Sequence, residues 1–300
     1  MRAGAARIVL LVAPPDLRVL LTSAVVQVGA LYEYPVKSLR GVPATEADVE
    51  RAGLRRDRRW MLVDDDGVVL TAREHHELLA FTATPDAAGG VVVSVPGRPP
   101  LAVPVPHDGA TVSVRLSRLP YATAAGERAD AWFSAAGLPA RLVWLDDPDR
   151  RPVSPNHGGQ VGDPLSLADA GPILLTTTSS LRQLNTWIAE HAANQGRAVE
   201  PPLAMARFRP NVVVDDDGDL APFAEDRWSV VRIGDVELRF GEQCDRCVLT
   251  TIDPETLLTG KEPIRTLALH RRREGAVWFG VRLIPLAPGR IRVGDRVSAR

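Results

Sequence analysis

The stretch Trp60-Met61-Leu62-Val63-Asp64-Asp65-Asp66-Gly67-Val68-Val69-Leu70-Thr71-Ala72 sets two short β-rich runs on either side of an acidic, glycine-ended turn. Aspartate and glycine tolerate the positive φ that tight turns need, so the two runs are expected to pair as an antiparallel hairpin. The same texture spreads outward through the first half, where residues 25–34, 91–95, 101–105 and 112–116 are further short strand candidates. Many short strands separated by turn residues predict an antiparallel, barrel-like unit. Residues 129–136, ended by Gly137, read as a short helix, and 141–145 as a strand. The polar run 146–162 is a loop, and the domain boundary is placed in it.

The second half carries the strongest helix signal, residues 180–194, with Leu181, Leu184 and Ile188 on one face and Gly196 beyond its end. Strands are predicted at 212–214, 228–233, 236–240, 248–252 and 291–297, with Gly234-Asp235 turning one hairpin. The fold class expected is α+β, predominantly β: a β-barrel-like unit followed by a second β unit with peripheral helices.

With 300 residues, 45% of them hydrophobic, the chain can bury a sizeable core. Its 36 basic and 37 acidic residues leave a formal charge of -1, so nothing global attracts nucleic acid or an anionic membrane. Two cysteines are too few for a secreted disulfide scaffold, and a reducing, cytoplasmic location is expected. Residues 8–13 are apolar but are stopped by Pro14-Pro15-Asp16, far short of the ~20 residues a membrane span requires. Residues 1–25 are therefore read as an extension, with no membrane span.

The two cysteines stand together in Cys244-Asp245-Arg246-Cys247, between two predicted strands. Such a pair can be half a zinc site, a redox dithiol or two structural cysteines. Structural zinc wants four ligands, and there is no second cysteine pair, while His270 has no partner at finger spacing. A thioredoxin-like pair belongs at a strand-to-helix junction, whereas 248–252 reads as a strand. What is left is a soft thiolate beside Arg246, suited to a soft transition metal whose other ligands arrive with a cofactor.

An anionic cofactor needs cations and hydrogen-bond donors, and three motifs supply them. Tyr34-Pro35-Val36-Lys37-Ser38-Leu39-Arg40-Gly41 offers a lysine, a hydroxyl and a glycine in a phosphate-facing turn. In Arg56-Asp57-Arg58-Arg59-Trp60, strand alternation sends Arg58 and Trp60 to one face and Arg59 to the other; the competing reading is a solvated charge cluster. Arg207-Phe208-Arg209-Pro210-Asn211 can present Arg209 as a fork for phosphate and Asn211 as an amide for a heterocycle. His75, His76 and His157 sit in polar segments and are assigned no role.

Taken in order, these motifs and the longer run Cys244 to Leu267 resemble the MOSC-domain proteins that carry an N-terminal MOSC β-barrel, the group of the amidoxime-reducing components and bacterial N-hydroxylaminopurine-detoxifying proteins. The resemblance implies an N-terminal MOSC barrel over 26–150 and a MOSC domain over 151–300. It implies a molybdenum cofactor (Mo-molybdopterin) with Cys247 as metal ligand and catalytic residue, and Lys37, Ser38, Arg58, Asp169, Arg209, Asn211 and Arg246 as cofactor-binding residues. It implies a molybdenum-dependent oxidoreductase reducing N-hydroxylated compounds. The chain shows no further cysteines for an iron–sulfur cluster, so a separate electron-donor protein, of ferredoxin, flavoprotein or cytochrome type, is expected. The alternative is a non-catalytic cofactor or sulfur carrier, since MOSC domains also occur fused to pyridoxal-phosphate desulfurases. The chain departs from the family pattern at Val281, where glutamine is common, and around Leu269 and His270.

Overall fold

The computed structural model describes residues 26–300, so the expectations for 1–25 lie outside it. Among the described residues the fold is predominantly β, with three α-helices: α1 (Glu127–Ala135), α2 (Thr178–Asn194) and α3 (Ile264–His270). One large sheet runs in the order Val297–Ala299, Val230–Ile233, Val236–Asp245, Ala276–Pro285, Ile173–Thr177, Val212–Asp215, Gln27–Glu33, Val42–Ala44. Its pairs are antiparallel except Ile173–Thr177 with Val212–Asp215, which α2 joins as a crossover. Gln27–Glu33 and Val42–Ala44, from the beginning of the described chain, thus complete a sheet made mostly of later strands.

Three smaller sheets surround it: Trp60–Val63, Arg141–Trp144, Leu119–Ala124 and Thr111–Leu116; Thr82–Pro85, Val91–Ser94 and Leu101–Val103; Gly289–Arg292, Glu46–Glu50 and Gly53–Leu54. Alternation explains them. Val112 and Val114 face inward while Thr111, Ser113 and Arg115 face out. Trp60, Leu62, Phe81 and Phe133 fill one core, and Leu31, Leu175, Val212 and Leu283 fill the core of the large sheet.

The opening hairpin turn forms as expected: Asp64 Oδ1 accepts from the backbone N of Asp66 (2.9 Å) and Val68 (2.8 Å), and Gly67 takes φ 76. Its second arm, however, makes only isolated bridges through Val68 and Val69. Helix α2 begins where Thr177 Oγ1 accepts from Ser180 N at 3.2 Å. The strand predicted over 291–297 is broken by Val293-Gly294-Asp295, with Gly294 at φ 90.

Two corrections bear on the site. The strand from Val236 does not stop near Phe240 but runs through Cys244 to Asp245. Beyond it, Val248–Thr251 is a single 3-10 turn rather than a strand. The threonines cause this: Thr250 Oγ1 donates to Cys247 O at 3.0 Å and Thr251 Oγ1 to Val248 O at 2.7 Å, closing the turn that β-branched propensity alone disfavours. No strand directly follows Cys247, so the local backbone does not by itself exclude a redox dithiol.

Candidate functional site

All eight residues singled out from the sequence, Lys37, Ser38, Arg58, Asp169, Arg209, Asn211, Arg246 and Cys247, line one cleft of about 780 Å³. They come from ends of different strands, where the chain leaves the sheets and side chains can converge. Ser38, Arg58 and Arg209 all take left-handed backbone conformations, with φ of 71, 49 and 54. Non-glycine residues persist there only where surrounding contacts hold them, a pattern typical of functional sites.

Lys37 is buried; its Nζ donates to Leu167 O at 3.0 Å and pairs with Asp169. Burial pulls the Lys37 ammonium below its usual range, while Asp169 opposes that shift; the same ammonium holds the Asp169 carboxyl well below the carboxylate range. Burial pulls the Arg58 guanidinium pKa down, but its buried partner Asp57, together with Tyr34 and Asp169, outweighs burial and leaves it raised. Arg209 has no carboxylate partner among the described residues, and burial brings it down to about 10. It remains a cation at neutral pH.

Asn211 is fully buried, and its amide is engaged inside the protein. Its Oδ1 accepts from Leu174 N at 3.1 Å and Arg58 Nη1 at 3.2 Å, and its Nδ2 donates to Tyr32 O at 3.2 Å. The residue ties two strands together and orients Arg58, in place of the free amide expected from the sequence. The direction of Arg58 likewise comes from its left-handed backbone, because the strand begins only at Trp60, which is buried in a core. Arg59 points elsewhere and donates to Leu145 O.

Arg246 donates from Nε to Phe279 O (2.8 Å) and from Nη1 to Phe208 O (3.0 Å). Its Nη2 is buried without a hydrogen-bond partner among the described residues. Cys247 is exposed and Cys244 buried. Among the described residues no three His, Cys, Asp or Glu side chains gather to hold a metal ion. A metal in this cleft therefore needs most of its ligands from elsewhere, with one soft thiolate from the chain. The donor set suits a prebuilt anionic metal cofactor: several cations, an orphaned Arg246 N–H and an accessible thiol.

Further residues, not singled out in the sequence, line or brace the cleft. Arg207 lines the cleft, donating to Thr251 O (3.2 Å) and pairing with Asp253 (2.7 Å). Arg282 and Asp245 line it as a pair at 2.7 Å, and Arg282 also pairs with Glu242, which His157 approaches at 2.9 Å. His157 is thus engaged rather than merely solvated. Arg151, almost wholly buried, donates to the carbonyls of Ser166 and Ala168 and so pins the segment that carries Asp169; burial brings it down to about 10. Arg207 was visible inside its motif, but Arg282 lies on the strand Ala276–Pro285, which no alternation announced. Val281 is buried in the core of the large sheet, away from the cleft lining, so the departure there alters packing rather than the site. Leu269 is exposed on α3.

The chain matches the MOSC N-terminal beta barrel domain over residues 25–136 and the MOSC domain over 161–298. It is 32% identical to the human mitochondrial amidoxime-reducing component 1, covering 94% of this chain and 86% of that protein. The mouse component 1 is 33% identical, covering 90% of this chain and 81% of that protein. The rat component 2 is 31% identical, covering 90% and 82%. These relatives are named as mitochondrial, which overturns the expectation of a cytoplasmic location. The expectation rested on the count of cysteines, which does not tell one compartment from another. No described helix is long and apolar enough to cross a membrane. With both matches, and with such identity along most of both chains, the chain belongs to the family of MOSC-domain proteins that carry an N-terminal MOSC β-barrel.

Proposed function

We propose that the protein reduces N-hydroxylated compounds such as amidoximes, using a molybdenum cofactor whose metal takes Cys247 as its protein ligand and electrons from a separate donor protein. The observation that carries this reading is the meeting of one accessible thiol with a cationic cleft lined by residues from four separate sequence motifs. The names of the relatives, amidoxime-reducing components, support the substrate class.

When bound, the cofactor supplies the two-electron chemistry, and the chain supplies its placement. Arg58, Arg209 and Lys37 would face its phosphate and polar edges, Ser38 would add a hydroxyl, and Arg246 would offer its unpartnered Nη2. Removing oxygen from an N–OH group breaks the N–O bond, takes up two electrons and two protons, and releases water. Lys37 holds a proton at Nζ beside Leu167 O and Asp169, and the pair keeps that corner of the cleft polar without adding net charge.

The test is Cys247→Ala, measured by molybdenum content and by turnover of benzamidoxime with a chemical reductant. Because Cys247 is exposed, the variant is expected to stay folded while losing metal and activity together. Undiminished turnover by the variant would reject the assignment. Turnover absent from molybdenum-loaded wild type, with transfer of the cofactor to an apo-acceptor, would make the protein a carrier.

A further inference from the structure

Arg58 and Arg209 bring two like charges into one buried region, which both desolvation and mutual repulsion oppose. Asp57 compensates Arg58, but Arg209 has no carboxylate among the described residues. What the two guanidiniums share is an aromatic ring: Cζ of Arg58 lies 4.6 Å and Cζ of Arg209 4.4 Å from the centroid of Tyr34. Both distances are within the range in which a ring quadrupole attracts a cation.

Tyr34 is itself held on every side. Its hydroxyl donates to Pro210 O at 3.2 Å, the carbonyl next to Arg209. Its backbone N donates to Asp57 Oδ1 at 2.8 Å, the carboxylate that pairs with Arg58. A Cβ on Gly41 would overlap Tyr34 Cε1, so the glycine that ends the first motif gives the ring its seat instead of loosening a phosphate-facing turn. Arg58 N donates to Tyr34 O at 2.8 Å, so the same residue also holds the left-handed backbone of Arg58.

We propose that Tyr34 is a positioning residue whose aromatic ring holds Arg58 and Arg209 ready as an anion-binding pair before a phosphate-bearing ligand arrives. The inference rests on reading the cleft as a cofactor site, and it assigns the effect to the ring and not to the hydroxyl. A cation already oriented loses less freedom on binding, so the ring acts through affinity.

The experiment uses full-length protein freed of cofactor and titrated with inorganic phosphate, with binding read by calorimetry and by the rise in unfolding temperature. Tyr34→Phe should bind phosphate within about twofold of wild type, while Tyr34→Leu should bind about tenfold more weakly, the effect of losing cation–π contacts. Should the leucine variant fail to fold, pentafluorophenylalanine at position 34 keeps the ring's shape, reverses its quadrupole and should weaken phosphate about tenfold relative to phenylalanine. Wild-type affinity in a folded leucine variant or in the pentafluoro variant overturns the proposal, as does a phenylalanine variant as weak as leucine, or no phosphate binding by wild type. Pterin and molybdenum content of the wild-type protein is measured separately. If both are absent while the phosphate series holds, the functional reading fails and the role of Tyr34 stands.

Discussion

Glu225 offers a quantitative test of how the fold around the site is held. It sits in the turn Ala224–Arg227, fully buried, where Ser180 Oγ lies 2.8 Å from its Oε1 and Thr177 Oγ1 3.2 Å from its Oε2. These hydroxyls belong to the N-terminal cap and first turn of α2, and Phe223 N also donates to Ser180 Oγ at 2.8 Å. No salt bridge reaches Glu225 among the described residues, and burial raises its carboxyl from 4.5 to about 7. Between those values the folded protein keeps a proton that the unfolded chain has released. The contribution of Glu225 to stability is therefore greatest below about pH 4.5, falls as pH rises through about 7, and is level above it. At about 1.4 kcal/mol per pH unit, the loss across that window is about 3 kcal/mol. Glu225→Gln places a neutral amide of the same shape there and removes the titration. Urea unfolding of both proteins across the window should show wild type losing about 3 kcal/mol relative to the variant, with nearly all the change below about pH 7.5. A difference that stays constant within about 0.5 kcal/mol would show that Glu225 is ionised throughout in the native state. In that case the hydroxyls and the helix N-terminus outweigh burial, and the reasoning fails.

Other consequences follow from particular contacts. Asn211→Ala should destabilise the protein by about 2–4 kcal/mol, because it leaves Leu174 N and Tyr32 O buried and unpaired and frees Arg58; urea unfolding and the loss of retained pterin would both register it. Gly280→Ala should cost about 1–3 kcal/mol and perturb Arg246, since Gly280 has φ 75 and a Cβ there would lie 2.7 Å from Leu175 O and 3.3 Å from Arg246 Nη2; a melting curve indistinguishable from wild type would contradict this. Asp169→Asn leaves the buried Lys37 without its anion, so the ammonium pKa should fall further, seen as a shift of the Nζ titration by NMR. Phe279→Ala should cost about 3–5 kcal/mol, because its ring is fully buried and stacks on Phe208 at 4.1 Å beneath Arg246.

Features that depend on local pattern and on residue chemistry could be read from the chain alone. Predominantly β texture, the acidic hairpin turn and helix α2 were legible because they rest on periodicity, turn residues and caps within a few positions of each other. The candidate site residues were legible because their motifs are contiguous, and the resemblance to a known family covers all of them. Tertiary structure alone decided the rest. The strand Ala276–Pro285 sends Val281 and Leu283 into the core of the large sheet and Ile284 into a second apolar cluster, so both of its faces are covered there and no alternation marks it. The turn after Cys247 is fixed by threonine hydroxyls competing with strand propensity, a contest that composition does not resolve. Asn211 looks like a ligand in its motif and acts as a brace in the fold, because only the approach of Tyr32, Leu174 and Arg58 reveals where its hydrogen bonds go. Tyr34 shows the same division: its motif is local, but the two guanidiniums over its ring arrive from residues 58 and 209, brought there by chain packing that no short stretch encodes.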